Sequence, residues 1–481
     1  MVLASFSRNR PRLAALLLFA LFMGLLVLSR VPFLSNVLVG EEGMHAAFVL
    51  AKGSQAPVNE QGIPQLMLGS FEGEAFLGAT QHSIGPYVIL RWLSGVWPVA
   101  VGDPLPLTDA LEARSIQARL PFLLLYLLGV AGLLWRWATV CVQSPSWRWW
   151  VFGGLLFYGL TTPLAIGGSI QPQIDASVGV ALVGLAAWLL TAVWGPGLQL
   201  WAAIAAGVLV GFGKQEWTLG FAAAWGVVLL LSKLWRCANA STLGGFALGL
   251  GVGTALTYGL SPTDYLASFN LMDHFLSKSS DVNRLELLMQ WRSYLAPVLL
   301  LLLLMTITGI GRLPQLVRQS PGAVIVAGGA WAIAVGFAAA GWRGDGFPRY
   351  YAPALVASLY ALQVFVMGWP DLGQRRVTAM VGLAVIAFGL SLNFGVIGDG
   401  LSQKESITSI PGLRLKPVTR RFERIMESSG DESQAVYVDH SGLWIYAPAQ
   451  NFVHEDPSVA ATYQSVYPNS VERLVFKHQQ P

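Results

Sequence analysis

From its first residues to about residue 395 the chain is a succession of long apolar stretches separated by short polar connections. The stretches fall at 13–34, 119–140, 150–168, 176–194, 198–213, 216–232, 243–260, 293–310, 321–341, 351–368 and 377–395. A helix that crosses a hydrocarbon core of about 30 Å needs roughly 20 apolar residues, and it satisfies its own backbone polar groups. The pattern therefore predicts an all-α polytopic membrane protein with about 11 transmembrane helices over residues 1–395.

Charge is sorted along this pattern. Arg8, Arg10 and Arg12, then Arg136 and Arg148, Lys233 and Arg236, Arg312 and Arg318, and Arg375 and Arg376 occupy nearly every second connection. The positive-inside rule assigns those connections, and the N-terminus, to the cytoplasm. The acids Glu41, Glu42, Glu60, Glu72, Glu74, Asp175, Glu216, Asp264, Asp273 and Asp281 then face the outer, periplasmic side of the inner membrane. Parity turns on segment 84–101, "IGPYVILRWLSGVWPVAV", which is apolar enough to span. Arg91 at its middle, the flanking Trp92 and Trp97 and the late Pro98 suit a helix lying in the outer interface instead. The first outer loop then runs over 35–118, long enough to require short helices of its own. One is expected in "MHAAFVLAKG", with Gly53 as its stop.

After residue 395 the chain becomes polar, charged and aromatic. "KPVTRRFERIMESSG" reads as an amphipathic helix, and "AVYVDH" and "LWIYA" read as strands. Residues 396–481 are thus expected to form a small α/β outer-face domain. Composition agrees with the membrane reading, since 12% of residues are charged and 54% hydrophobic, against about 25% charged in soluble domains. The net charge of +4 is spread over the inner loops, so topology accounts for it without nucleic acid. No small-x-small cleavage site follows the first apolar stretch, which is read as a retained helix. Cys141 and Cys237 both fall at cytoplasmic helix ends, where no disulfide is expected.

Several polar constellations could carry chemistry. "LVGEEGMHAAFVL" places Glu41 and Glu42 at the membrane surface, with His45 on the same helical face as Glu41. Such a pair can deprotonate an acceptor or hold a divalent metal, or it can be a solvated acidic pair at a helix start. "ATQHSIGPYVILRW" offers His82 and Tyr87. Asp175 opens a helix at the outer face, where an Asp either caps the helix or acts chemically. "GFGKQEWTLG" sets Lys214, Gln215 and Glu216 in a tight turn, as a site or as a surface ion pair. "GWRGDGFPRYYAPAL" crowds Arg343, Asp345, Arg349, Tyr350 and Tyr351 before a helix, as ligands or as interfacial anchors. His274 lies in another outer segment, "NLMDHFLSKSSDVNR".

The order of these elements resembles the C-type glycosyltransferase superfamily, and most closely its lipid A aminoarabinose transferases and protein O-mannosyltransferases. The likeness rests on an acidic pair after helix one, a polar-Pro-Tyr element before an interfacial helix, "ARLP" opening the next span, an outer Asp at the fourth span and a late "RYYAP". It extends over about residues 1–370. Glu41 stands where that family usually has Asp, and His45 where it has Tyr. His82 stands where members often have Lys or His beside a proline, but Ser83 and Ile84 replace the prolines.

The resemblance implies transfer of a sugar, with inversion, from a polyprenyl-phosphate carrier to an acceptor lipid, glycan or protein on the outer face. Glu41 would act as general base, with Glu42 beside it, and Asp175 would orient acceptor or base. Lys214, Arg343, Arg349, His82 and Tyr350 would hold the carrier phosphate, with His45, Tyr87 and His274 completing the substrate site. No cofactor is required, and a divalent metal could join Glu41 and Asp175. Two other classes stay open: a secondary transporter or lipid flippase, against which the scarcity of charge within the spans argues, and a non-catalytic membrane scaffold.

Overall fold

A computed structural model of the chain describes residues 2–35, 49, 84–97, 107–144, 146–237, 239–258, 284–342, 348–367, 389, 435–437, 452–453 and 473–474. Every apolar stretch up to residue 368 is mainly helical where described, and the stretch at 377–395 lies outside the described residues apart from Gly389. In chain order the helices are α1 (Val2–Leu28), α2 (Val31–Leu34), α3 (Ile84–Val96), α4 (Leu107–Gln143), α5 (Trp147–Thr161), α6 (Pro163–Ile170) and α7 (Gly179–Thr191). They continue with α8 (Pro196–Gly211), α9 (Gln215–Leu234), α10 (Ala240–Tyr258), α11 (Arg284–Ile310), α12 (Leu313–Gln319), α13 (Pro321–Trp342) and α14 (Ala352–Val366). Among the described residues six helices are long and apolar enough to cross a membrane, and up to eight if two bent pairs each count as one span. The chain is a multi-pass, predominantly helical membrane protein.

α14 is the axis of the bundle. Each of its residues is buried, as expected of a helix apolar on all sides, and α4, α7, α11 and α13 pack around it. Near the middle of α4 the Tyr360 hydroxyl inserts into the helix ladder. It accepts from the Leu133 amide at 3.0 Å and donates to the Gly129 carbonyl at 2.8 Å, the two groups that would otherwise bond to each other. α4 and α7 cross where Gly129 faces Gly184, because a Cβ on either would overlap the other helix's backbone. α8 and α10 pack more closely still. Gly207 and Gly211 on one and Gly245, Gly249 and Gly253 on the other remove the side chains that would hold the backbones apart.

Among the described residues two pairs of apolar helices are sharply bent at a short break. α5 and α6 meet at 59°, where Pro163 ends the first helix and frees its last carbonyls. Each finds a side chain. Thr161 donates to Phe157 and Tyr158, and Thr162 donates to Gly159 at 2.9 Å while accepting from the Ala165 amide. Arg30 at the end of α1 donates to Leu160 and to Ser169 at 3.1 Å. Arg30 is fully buried, and its remaining donors meet Leu26, Ser29 and Ala165. The second break, 89° between α11 and α12, turns the chain at the opposite end of the bundle.

The helix read as beginning near residue 119 starts at Leu107 instead. In the tail, three short strands, β1 (Ala435–Tyr437), β2 (Phe452–Val453) and β3 (Arg473–Leu474), form a parallel ladder in the order β2-β1-β3, with Val436 opposite Phe452 and Leu474. β1 lies in the expected "AVYVDH" strand, while "LWIYA" lies outside the described residues.

Candidate active site

Three segments far apart in sequence meet at one end of α14. The first is a π-helical turn, Ile174–Val178, that joins α6 to α7. The second is the turn between α8 and α9 that carries Lys214, and the third is the 3-10 turn Pro348–Tyr351 that leads into α14. The turn at Lys214 is fixed locally, since Thr218 donates to the Val210 carbonyl at 3.0 Å and to the Lys214 carbonyl at 3.1 Å. Gly213 gives the Trp217 ring room beside this turn, and the far edge of that ring lies against Gly179 and Pro353. Trp217 therefore ties α9 to the starts of α7 and α14.

Lys214 Nζ and Asp175 Oδ1 form an ion pair with side chains only 6% and 8% exposed. The ammonium also lies 5.4 Å from the centroid of the Tyr350 ring, a cation-π contact. Tyr350 in turn stacks on Phe337 of α13, with centroids 4.8 Å apart and planes inclined by 18°, and Tyr351 meets Phe337 edge-on at 6.3 Å. Burial opposes the Lys214 charge, but Asp175, Glu216 and Tyr350 outweigh it, so the lysine pKa stands above its ordinary value. Burial also raises the Tyr351 phenol above the usual tyrosine range. Around the pair are buried polar atoms with no hydrogen-bond partner among the described residues: Gln173 Oε1, Glu216 Oε2, Trp217 Nε1 and the Tyr351 hydroxyl. An unsatisfied buried group of this kind costs about 1–3 kcal/mol.

Two of the simpler sequence alternatives do not hold. Lys214 pairs with Asp175 in the interior and forms no surface ion pair, and Asp175 lies inside a π-helical turn whose N-cap is Gln173. Of the expected site residues, Asp175, Lys214 and Tyr350 converge. Arg349 belongs to the same 3-10 turn. Tyr87 lies in the first turn of α3, and the neighbouring Gly85 packs against the Phe212 carbonyl, two residues before Lys214. Glu41, Glu42, His45, His82, His274 and Arg343 lie outside the described residues, as does the expected helix in "MHAAFVLAKG" except for Val49.

Sequence reasoning did not single out Gln173, Trp217 or Arg30. Gln173 and Asp175 flank one turn in "SIQPQIDAS", a polar run within an apolar region, and that was the available signal. The opposite end of α14 is different in character. There Arg136, Arg148 and Arg312 reach the carbonyls and sulfur of Phe365 and Met367 or the neighbouring helix end. Fifteen helical residues at 1.5 Å each put the two ends about 22 Å apart. No protein-family model, curated protein or solved structure matches the chain.

Proposed function

We propose that the protein moves a sugar from a polyprenyl-phosphate carrier to an acceptor on the outer face of the membrane. The observation that supports this reading is the meeting of Asp175, Lys214 and Tyr350 in one buried polar cluster, at the end of α14 opposite the arginines. Those arginines would then mark the cytoplasmic side. The topology proposed with this function has about 11 spans, a cytoplasmic N-terminus, a non-spanning α3 and a periplasmic α/β domain formed by residues 396–481. A 13-residue α3 rises only about 20 Å, short of a hydrocarbon core.

In the reaction, an acceptor hydroxyl or amine attacks the anomeric carbon, and the bond from that carbon to the carrier phosphate oxygen breaks. The electron pair leaves with polyprenyl phosphate, and the acceptor proton passes to Glu41. Growing charge on the phosphate calls for fixed cations in a site that excludes water. Lys214 has two donors beyond the one turned to Asp175, and Arg349 and Arg343, with His82, would add to them. Asp175 would hold Lys214 charged and oriented while facing the acceptor. If a divalent metal takes part, Glu41 and Asp175 are the carboxylates that would hold it, and it would supply added positive charge for the leaving phosphate.

Purified protein in proteoliposomes, supplied with polyprenyl-phosphate sugars and candidate acceptors, should release free polyprenyl phosphate in step with product. Absence of release with every donor tested would overturn the reading. One observation favours a second reading, secondary transport: a broken span leads into a π-helical turn beside a buried charge, and interrupted helices at charged sites are typical of transporters. Solute counterflow without carrier breakdown would identify that activity.

A further inference from the structure

The arginines at the closing end of α14 exceed what that helix end requires. Arg148 Nη1 donates to the Met367 carbonyl at 3.0 Å, and Arg312 Nη1 donates to the Phe365 carbonyl at 3.3 Å. Arg136 Nη1 donates to the Thr191 carbonyl at the end of α7, at 2.5 Å, and its Nη2 lies 4.0 Å from Met367 Sδ. The three side chains come from the end of α4, the start of α5 and the bend between α11 and α12, so the fold gathers them from two connections far apart in sequence.

A helix C-terminus carries about half a negative charge. Two such ends, of α7 and α14, offset about one guanidinium. Arg136 and Arg312 bring two charges even with Arg148 left aside, and neither meets a carboxylate among the described residues, whose ion pair is Lys214 with Asp175 at the other end. Each guanidinium has five N–H donors. Arg312 uses one, and Arg136 spends its Nη2 contact on a weakly accepting thioether. Among the described residues a surplus of cationic donors therefore remains at this end.

The depth of the cluster identifies what it would meet. Trp135 precedes Arg136 and Trp147 precedes Arg148, and both indoles are exposed, as is Trp150. Exposed tryptophans beside arginines at the ends of apolar helices mark the headgroup level of a bilayer. We propose that Arg136 and Arg312, with Arg148, bind the phosphodiester of an anionic phospholipid in the leaflet at this end. Basic pockets between membrane helices select such headgroups by charge and by the fit of guanidinium donors to phosphate oxygens. The proposal does not depend on the sugar-transfer reading, because the site lies at the far end of the bundle.

The test uses the full chain in a zwitterionic detergent, titrated with short-chain phosphatidylglycerol or phosphatidylcholine, with bound lipid counted by native mass spectrometry. Phosphatidylglycerol should bind about tenfold more tightly than phosphatidylcholine. Arg136→Gln combined with Arg312→Gln should remove that preference, while Arg318→Gln on α12 should keep it. Equal affinity of the wild-type chain for the two lipids would overturn the proposal whether or not the double variant folds, and so would a preference that survives in a folded double variant. Inorganic phosphate should not displace the lipid. If it does so completely, the site is a general anion site and the lipid assignment fails.

Discussion

At the scale of single residues, Lys214 and Asp175 depend on each other, because their ion pair offsets much of the cost of burying each charge in the interior. Lys214→Met should destabilise the protein by about 3–5 kcal/mol, read as a lower unfolding midpoint in detergent. Adding Asp175→Asn should recover most of that loss, because the stranded charge is gone, while carrier release stays abolished. A Lys214→Met protein as stable as wild type would show that Asp175 does not rely on the lysine. The raised lysine pKa also fixes a sign: the stabilisation is fully present below the unfolded value of about 10.4 and is lost progressively as pH rises from there through the higher folded value. The Lys214 charge should therefore persist between roughly pH 6 and 9, and an activity change in that window belongs to another group. If Glu41 is the general base, Glu41→Gln should abolish release with the fold intact. Arg349→Lys should keep the charge but lower turnover, since an ammonium lacks the paired donors of a guanidinium. Asp175, Lys214 and Tyr350 were legible in the sequence because polar groups at the ends of apolar stretches stand out. Their convergence was not, because a contact between residues 39 apart depends on how the helices pack. Arg30 escaped notice for the opposite reason. It lies within the first apolar stretch, and its partners are carbonyls released by a proline more than a hundred residues later.

At the scale of elements, periodicity and length located the helices, but polar turns that extend a helix beyond the apolar region are silent in that signal, as the start of α4 at Leu107 shows. Close helix approach is equally hard to read, because glycines are common throughout the chain and only some lie in a seam. On α10, Gly249 faces the backbone of Ile204, where a Cβ would overlap the carbonyl, whereas Gly251 has nothing within 4 Å. Gly249→Val should therefore force α8 and α10 apart and lower the unfolding midpoint by several degrees or prevent assembly, while Gly251→Val should be nearly neutral. The contrast matters because both substitutions carry the same intrinsic change in helix propensity. Equal effects of the two would mean that the seam contributes nothing beyond propensity. The kink between α5 and α6 follows the same logic: Arg30→Met leaves the Leu160 carbonyl without its guanidinium donor, and a loss of about 1–3 kcal/mol is expected for one buried unsatisfied group.

At the scale of the whole molecule, the two ends of α14 have opposite chemistry, and sidedness follows if the arginine end is cytoplasmic. That assignment can be tested with single cysteines placed where the backbone has room. Gly85 is unsuitable, since a side chain there would meet the Phe212 carbonyl, but Gly95, Gly195 and Gly311 have no atom within 4 Å of an added Cβ. Gly195 follows α7, whose last carbonyl is bound by Arg136, and Gly311 precedes Arg312, so both belong to the arginine end. Gly95 lies on α3, whose start packs beside the Lys214 turn. In a background lacking Cys141 and Cys237, an impermeant thiol reagent added to intact cells should label Gly95→Cys and spare Gly195→Cys and Gly311→Cys. Lysis should then expose the latter two. The physical reason is the charge sorting itself: moving Arg136, Arg148 and Arg312 to the outer face would oppose the bias that orients membrane helices during insertion. Labelling of Gly195→Cys and Gly311→Cys from outside, with Gly95→Cys protected, would invert the molecule and put the Asp175–Lys214 cluster on the cytoplasmic side. A periplasmic sugar transfer would then be untenable. Labelling of all three from outside would instead mean that α3 and the arginine end share one face, which the separation of the two ends by α14 forbids.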